Sequence, residues 1–223
     1  MEQVSPFIQL LFLATTITCA FLFIKAARYN RFVLLAILFI VVLQSILAWK
    51  DFYQQFDALP PRFLFMILPS LLLVLFLFFT KAGKQIANGL DIKQITLLHT
   101  VRVPVEICLH VLFMAHLIPQ LMTYEGWNFD IISGMTAPFV YYFAFVKPVL
   151  SKQFLIGWNW FCLALLATIV TLSILSAKTP FQQLAFEQPN TGIAYFPFVL
   201  LPSLVVPLVA VSHIAAIRLL RKK

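Results

Sequence analysis

Long apolar runs alternate with short polar connections along the whole chain. Seven runs stand out, roughly at 5–25, 33–49, 63–80, 95–122, 131–150, 155–176 and 195–219. Most are about 17–25 residues long and continuous, the length an α-helix needs to cross a hydrocarbon core of about 30 Å. Strands of a membrane barrel are shorter, about 10 residues, and alternate in polarity. The pattern predicts an all-α fold, an integral membrane bundle of seven transmembrane helices forming one domain over 1–223. The first run resembles a secretory leader in position alone. Glu2 precedes it and its basic residues follow it, so a retained helix is expected.

Composition strengthens this reading. Of 223 residues, 62% are hydrophobic and 11% charged, with 24 Phe and a mean hydropathy of +0.96. A soluble domain of this size needs far more polar surface. Cys19, Cys108 and Cys162 all fall in apolar runs and form no close-spaced motif. They are expected to be packing residues, with neither a disulfide framework nor a zinc site indicated.

Charge then orients the bundle. Lys25, Arg28, Arg31, Lys81, Lys84, Lys93, Lys147, Lys152, Arg218, Arg221, Lys222 and Lys223 fall on one side of a seven-span arrangement. Lys50, Arg62 and Lys178 fall on the other, together with Glu2, Asp51, Asp57, Glu125, Asp130 and Glu187. Basic residues mark the cytoplasmic side. This places the N-terminus outside and the C-terminus in the cytoplasm, in a plasma membrane or bacterial inner membrane. The net charge of +8 is accounted for by span flanks facing anionic headgroups. The expected partner is the lipid bilayer, with a small molecule or ion as substrate, and nucleic acid is not expected. Oligomeric state is left open.

The fourth run departs from the others. TLLHTVRVPVEICLHVLFMAHLIPQLM, from Thr96 to Met122, carries His99, Arg102, Glu106, His110 and His116. On a helix of about 100° per residue, with His99 at zero, Arg102 and Gln120 fall near −60°, Glu106 near −20°, His110 near +20° and His116 near −100°. All lie in a sector of about 120°, which must face the bundle interior or a wet cavity. Arg102 and Glu106 are four residues apart and are expected to form a buried ion pair. From the seventh run, His213 enters near the expected depth of His99. Tyr141, Tyr142 and Ser133 of the fifth run, and Trp158, Asn159 and Trp160 of the sixth, are further lining candidates.

The outer connections are aromatic as well as acidic. Tyr124, Glu125, Trp127, Asn128 and Asp130 crowd one short loop, and are expected either as an interfacial belt or as the outer rim of a cavity. Prolines 69, 104, 138, 148, 202 and 207 sit inside runs, where each removes a backbone donor. Gln44 is a smaller helix–helix glue candidate. Residues 63–71 (FLFMILPSL) echo residues 196–204 (FPFVLLPSL), as a duplication of three helices about a linker would. That layout is similar to the SWEET sugar transporters. Their paired Pro-Gln motifs are missing here, and no residue roles are carried over.

Three functions fit these residues. A proton-linked carrier would use Glu106 as the proton-carrying group, His110 and His99 as relays, and His116 and His213 along the path. A structural or ligand-sensing protein would keep the Arg102–Glu106 pair for helix register. An intramembrane metal-dependent hydrolase would need Glu106, His110 and a third ligand to converge. The carrier is preferred, with no catalytic residue, metal or cofactor assigned.

Overall fold

The computed structural model describes residues 4–222; Glu2 and Lys223, counted above among the flanking charges, lie outside the described residues. Within them the protein is all-α, and the one β-type contact is an isolated bridge between Ala177 and Asn190. Helix α1 (Pro6–Ala26) starts with Pro at its first position and Ser5 as cap. Asn30 caps α2 (Arg31–Trp49) by accepting from Phe32 and Val33 N–H. Helix α3 (Leu64–Phe79) bends by 86° into α4 (Lys81–Asn88), which Thr80 caps through Gly83 N–H. Asp91 caps α5 (Ile92–Leu98), and a 3-10 turn, His99–Val101, joins it to α6 (Arg102–Met114). Helix α7 (Ile131–Tyr141) runs on into a π-turn, Tyr142–Val146. Helix α8 (Lys152–Leu175) is followed by a long connection, a π-turn (Leu201–Val205) and α9 (Val206–Lys222).

Five stretches are long and apolar enough to cross a membrane: Pro6–Ala26, Arg31–Trp49, Ile92–Met114, Lys152–Leu175 and Leu201–Lys222. A sixth is added if the bent α3–α4 pair counts as one span, while Ile131–Val146 is apolar but shorter. Outward-facing Phe7, Leu35, Phe39, Val42 and Phe79 are all exposed, as side chains against acyl chains would be. Helix α9 lies innermost. Leu208, Val209, Val211, Ser212, His213, Ala215 and Ala216 are all buried, covering most of its circumference.

The prolines explain local departures from ideal helix. Pro69 has no N–H for the carbonyl of Phe65, and Gln44 of α2 donates its Nε2 to that carbonyl at 3.1 Å. Gln44 also accepts a short hydrogen bond from the Tyr53 hydroxyl. Pro207 likewise leaves the carbonyl of Ser203 without its helical donor, and the Ser70 hydroxyl donates to it. In a bilayer such freed carbonyls need neighbours of this kind. The two echoed segments therefore meet at equivalent serines, Ser70 and Ser203. Pro104 cannot donate to Thr100, and the helix tightens there into the 3-10 turn at His99–Val101.

Backbone and side-chain contacts gather the basic flanks at one end. Asp91 N–H donates to Ala26 O at 2.9 Å, which brings the start of α5 to the end of α1. Lys222 Nζ donates to Asn88 Oδ1 at 2.8 Å, bringing the end of α9 to the end of α4. Arg221 lies 6.0 Å over the ring of Trp160, in the first half of α8. At the other end, Trp49 packs on Phe196 and Lys178 on Phe56, joining the remaining connections.

Candidate functional site

The site is made where α6 meets the connection that follows it. Helix α6 stops at Met114, and His116 takes a left-handed conformation (φ 57°). The chain does not then rise into a new helix at the surface. It folds back along α6, so that Asn128 and Asp130 reach the levels of Glu106 and Arg102. These lie about 12 and 18 Å along the helix from Met114. Gly126 permits the fold, because a Cβ there would meet the carbonyl oxygen of Gln120 at 2.3 Å. Helix α7 thus begins alongside α6, about one turn before it passes Arg102 at Gly134, and not at the bundle end. Gly134 lets it lie close: a Cβ at that position would approach Val103 N to 2.9 Å.

This geometry corrects the expected ion pair. Arg102 Nη1 pairs with Asp130 Oδ1 at 2.6 Å, with side-chain exposures of 3% and 7%. Glu106 is not its partner. Glu106 Oε1 accepts from Asn128 Nδ2 at 2.7 Å instead, and Asn128 Nδ2 also donates to Met122 O at 3.0 Å. Asn128 Oδ1 in turn accepts from Asp130 N–H at 3.1 Å. A spacing of four residues permits Arg102 and Glu106 to meet, but the tertiary partner arriving from α7 takes the guanidinium. Asp130 stands at the N-cap position of α7 and makes no capping bond; its carboxylate turns sideways to the arginine.

The predicted rim also divides. Asn128 and Asp130 are buried in the chain's interior, not at the rim. Tyr124, Glu125 and Trp127 stay at the mouth, where Trp127 is 65% exposed. His110 stacks on Tyr124, ring centroids 4.9 Å apart, and its Nδ1 lies 3.8 Å from Glu125 Oε1. His116 and Gln120 are not on the polar face, since the helix that would carry them has ended; both are exposed. His116 Nδ1 lies 3.2 Å from Gln188 Oε1 of the long connection before α9.

On the other side of Arg102 lies a histidine pair. His99 and His213 stack with centroids 3.7 Å apart and planes 7° from parallel, both fully buried. Trp158 presents its edge to the two rings and donates Nε1–H to Thr136. His213 Nδ1 is 2.8 Å from Asn159 Oδ1. Asn159 Nδ2 is used on Leu155 O, so its Oδ1 is the acceptor and His213 carries its proton on Nδ1. Nε2 is then left as an acceptor.

The buried groups are under-satisfied. His99 Nδ1 and Nε2, Arg102 Nε and Nη2, Glu106 Oε2, Ser133 Oγ and His213 Nε2 have no hydrogen-bond partner among the described residues. Such groups are costly in an apolar interior. Here they concentrate in one column of side chains, from His110 through Glu106 and Arg102 to His99 and His213. Tyr141, the last residue of α7, is half-buried, and Tyr142, the first of the π-turn, is exposed. Among the described residues no three His, Cys, Asp or Glu side chains are grouped to hold a metal ion.

Asp130 and Asn128 carry more of the site than spacing along the chain indicated. The available signal was the Asn-x-Asp sequence directly ahead of an apolar run, which reads equally well as an exposed cap. Comparison with protein-family models, with curated proteins and with solved structures finds no match.

Proposed function

We propose that the protein is a small proton-linked membrane carrier in which Glu106 is the proton-carrying group. The observation that carries this reading is Glu106 itself: a 2%-exposed carboxylate with one oxygen held by Asn128 and the other unpartnered among the described residues. Above it stand His110 and Glu125 at a partly open mouth; below it stand Arg102, His99 and His213. Ionisable groups at such depth mark proton or substrate paths. A backbone segment that is irregular at membrane depth and ends in a half-length helix is the construction transporters use at their binding sites.

The reading takes the chain across the membrane seven times. The folded-back connection and α7 together make the fifth crossing, and α3 makes the third. The basic end faces the cytoplasm by the positive-inside rule, so the N-terminus is outside, in a plasma membrane or bacterial inner membrane. The substrate is a small solute or ion that reaches the column from the mouth at Tyr124, Glu125 and Trp127.

A structural reading is favoured by one contact. Arg102–Asp130 is almost fully enclosed and would by itself lock α7 to α6. The two readings separate in reconstituted membranes. Proteoliposomes adsorbed on a solid-supported electrode are given a pH jump, then jumps of small carboxylates, amino acids and sugars. A carrier gives transient charge movement that disappears in Glu106→Gln while that variant stays folded. No charge movement in the parent under any jump, or an unchanged response in Glu106→Gln, rules the carrier out.

A further inference from the structure

A second site lies away from the column, towards the end opposite the basic flanks. Between α3, α8 and the proline-rich start of the last span is a cavity of about 120 Å³, walled by apolar side chains including Leu109, Ile169, Val170 and Leu201. Its one polar side chain is Ser173. Ile174, 41% exposed, stands in its wall towards the lipid-facing surface. A smaller chamber of about 20 Å³ adjoins it and shares Phe63, Met66, Ala177 and Ile193 as common wall. This second chamber is mixed in character: Arg62, Lys178, Gln55, Thr179 and Asn190 line it together with aromatic and aliphatic side chains.

Three observations in the small chamber point to a ligand. First, among the described residues the connections opposite the basic flanks carry three Lys or Arg side chains, Lys50, Arg62 and Lys178, and two of them, Arg62 and Lys178, line this one chamber. Second, neither forms an ion pair among the described residues. Arg62 lies 4.5 Å over the Phe52 ring and Lys178 5.4 Å over the Phe56 ring, so aromatic faces hold both in place. Third, Asn190 is 2% exposed and its Oδ1 has no donor among the described residues. Its orientation is set by Nδ2, which donates to Ser173 Oγ at 2.9 Å and to Ser173 O at 3.2 Å. That bond also ties the small chamber to the apolar cavity, because Ser173 lines the latter.

We infer that the paired chambers bind a single-chain phospholipid with a free glycerol hydroxyl, a monoacyl glycerophosphate. The phosphate sits outside the chamber, between half-buried Arg62 and exposed Lys178; the hydroxyl alone enters its water-sized space and donates to Asn190 Oδ1; and the first part of the acyl chain fills the larger cavity. A void of about 150 Å³ holds a benzene-sized group, so this one takes several methylenes and the rest of the chain leaves past Ile174 into the bilayer. Met66, an unbranched thioether in the shared wall, can repack to admit the glycerol backbone. A diacyl lipid has this hydroxyl esterified and cannot donate to Asn190 Oδ1.

The test is binding of oleoyl lysophosphatidate to the purified full chain in a non-lipid detergent, read by native mass spectrometry. One molecule per chain is expected, with oleoyl lysophosphatidylcholine and dioleoyl phosphatidate both weaker. The Arg62→Gln/Lys178→Gln variant alters one half-buried and one exposed side chain and should lower affinity about 30-fold. Ile174→Trp should abolish binding by blocking the chain's exit. Thermal unfolding of both variants should match the parent. Glycerol 3-phosphate should fail to compete at equal concentration, because the headgroup alone lacks the buried chain. Equal binding of all three lipids, effective competition by glycerol 3-phosphate, or full binding by either variant overturns the inference.

Discussion

Replacing Asp130 by Asn keeps the shape of the side chain and removes its charge, so it isolates what the carboxylate does for Arg102. With Nη1 and Oδ1 2.6 Å apart, the charge centres lie about 4 Å from each other. At an effective dielectric near 20 their attraction is about 4 kcal/mol. Breaking one side of a buried pair strands the other charge, and the measured cost of that is about 3–5 kcal/mol. Asp130→Asn should therefore lose about 3–5 kcal/mol of unfolding free energy, followed by thermal or denaturant unfolding in fixed micelles. Removing the stranded guanidinium as well, in Arg102→Met/Asp130→Asn, should recover most of that loss. Glu106→Gln should cost less than about 1.5 kcal/mol, because a Gln oxygen still accepts from Asn128. An Asp130→Asn protein within about 0.5 kcal/mol of the parent, or a Glu106→Gln protein that loses as much as Asp130→Asn, would refute the assigned pairing.

Other expectations follow from the same contacts. Ser70→Ala leaves the carbonyl freed by Pro207 unsatisfied, and should cost about 1–3 kcal/mol by unfolding in the same micelles. Pro207→Ala restores the helical donor, so combining it with Ser70→Ala should give back part of that loss. Gly134→Ala pushes α7 off the turn at Val103 and should cost about 1–3 kcal/mol. It should also reduce the pH-jump charge movement, because Asp130 moves with α7; unchanged stability and signal would show that the two helices are not in close contact.

Several features of the fold are written locally. A bilayer demands continuous apolar stretches, so the all-α character and the presence of several membrane-length helices can be read directly from the chain. The site is less legible. Residues 117–122 (LIPQLM) continue the apolar run past Met114, which hides the end of α6, so a helical wheel extended to His116 and Gln120 describes turns that do not exist. The partner of Arg102 lies 28 residues away, and nothing in local spacing distinguishes that acid from the nearer Glu106. Asp130 looks like a surface cap because nothing in the sequence marks a connection that folds inward. The stacking of His99 on His213 depends on how α9 is seated among α1, α5 and α8, and no local pattern encodes that distance.

The most direct test of the central claim is infrared difference spectroscopy of the reconstituted protein during a pH titration. If Glu106 takes up and releases a proton inside the bundle, a protonated-carboxyl C=O band appears and disappears with pH in the parent. It should be absent in Glu106→Gln and retained in Glu125→Gln. A titrating band that persists unchanged in Glu106→Gln, or no such band at any pH in the parent, would contradict the claim.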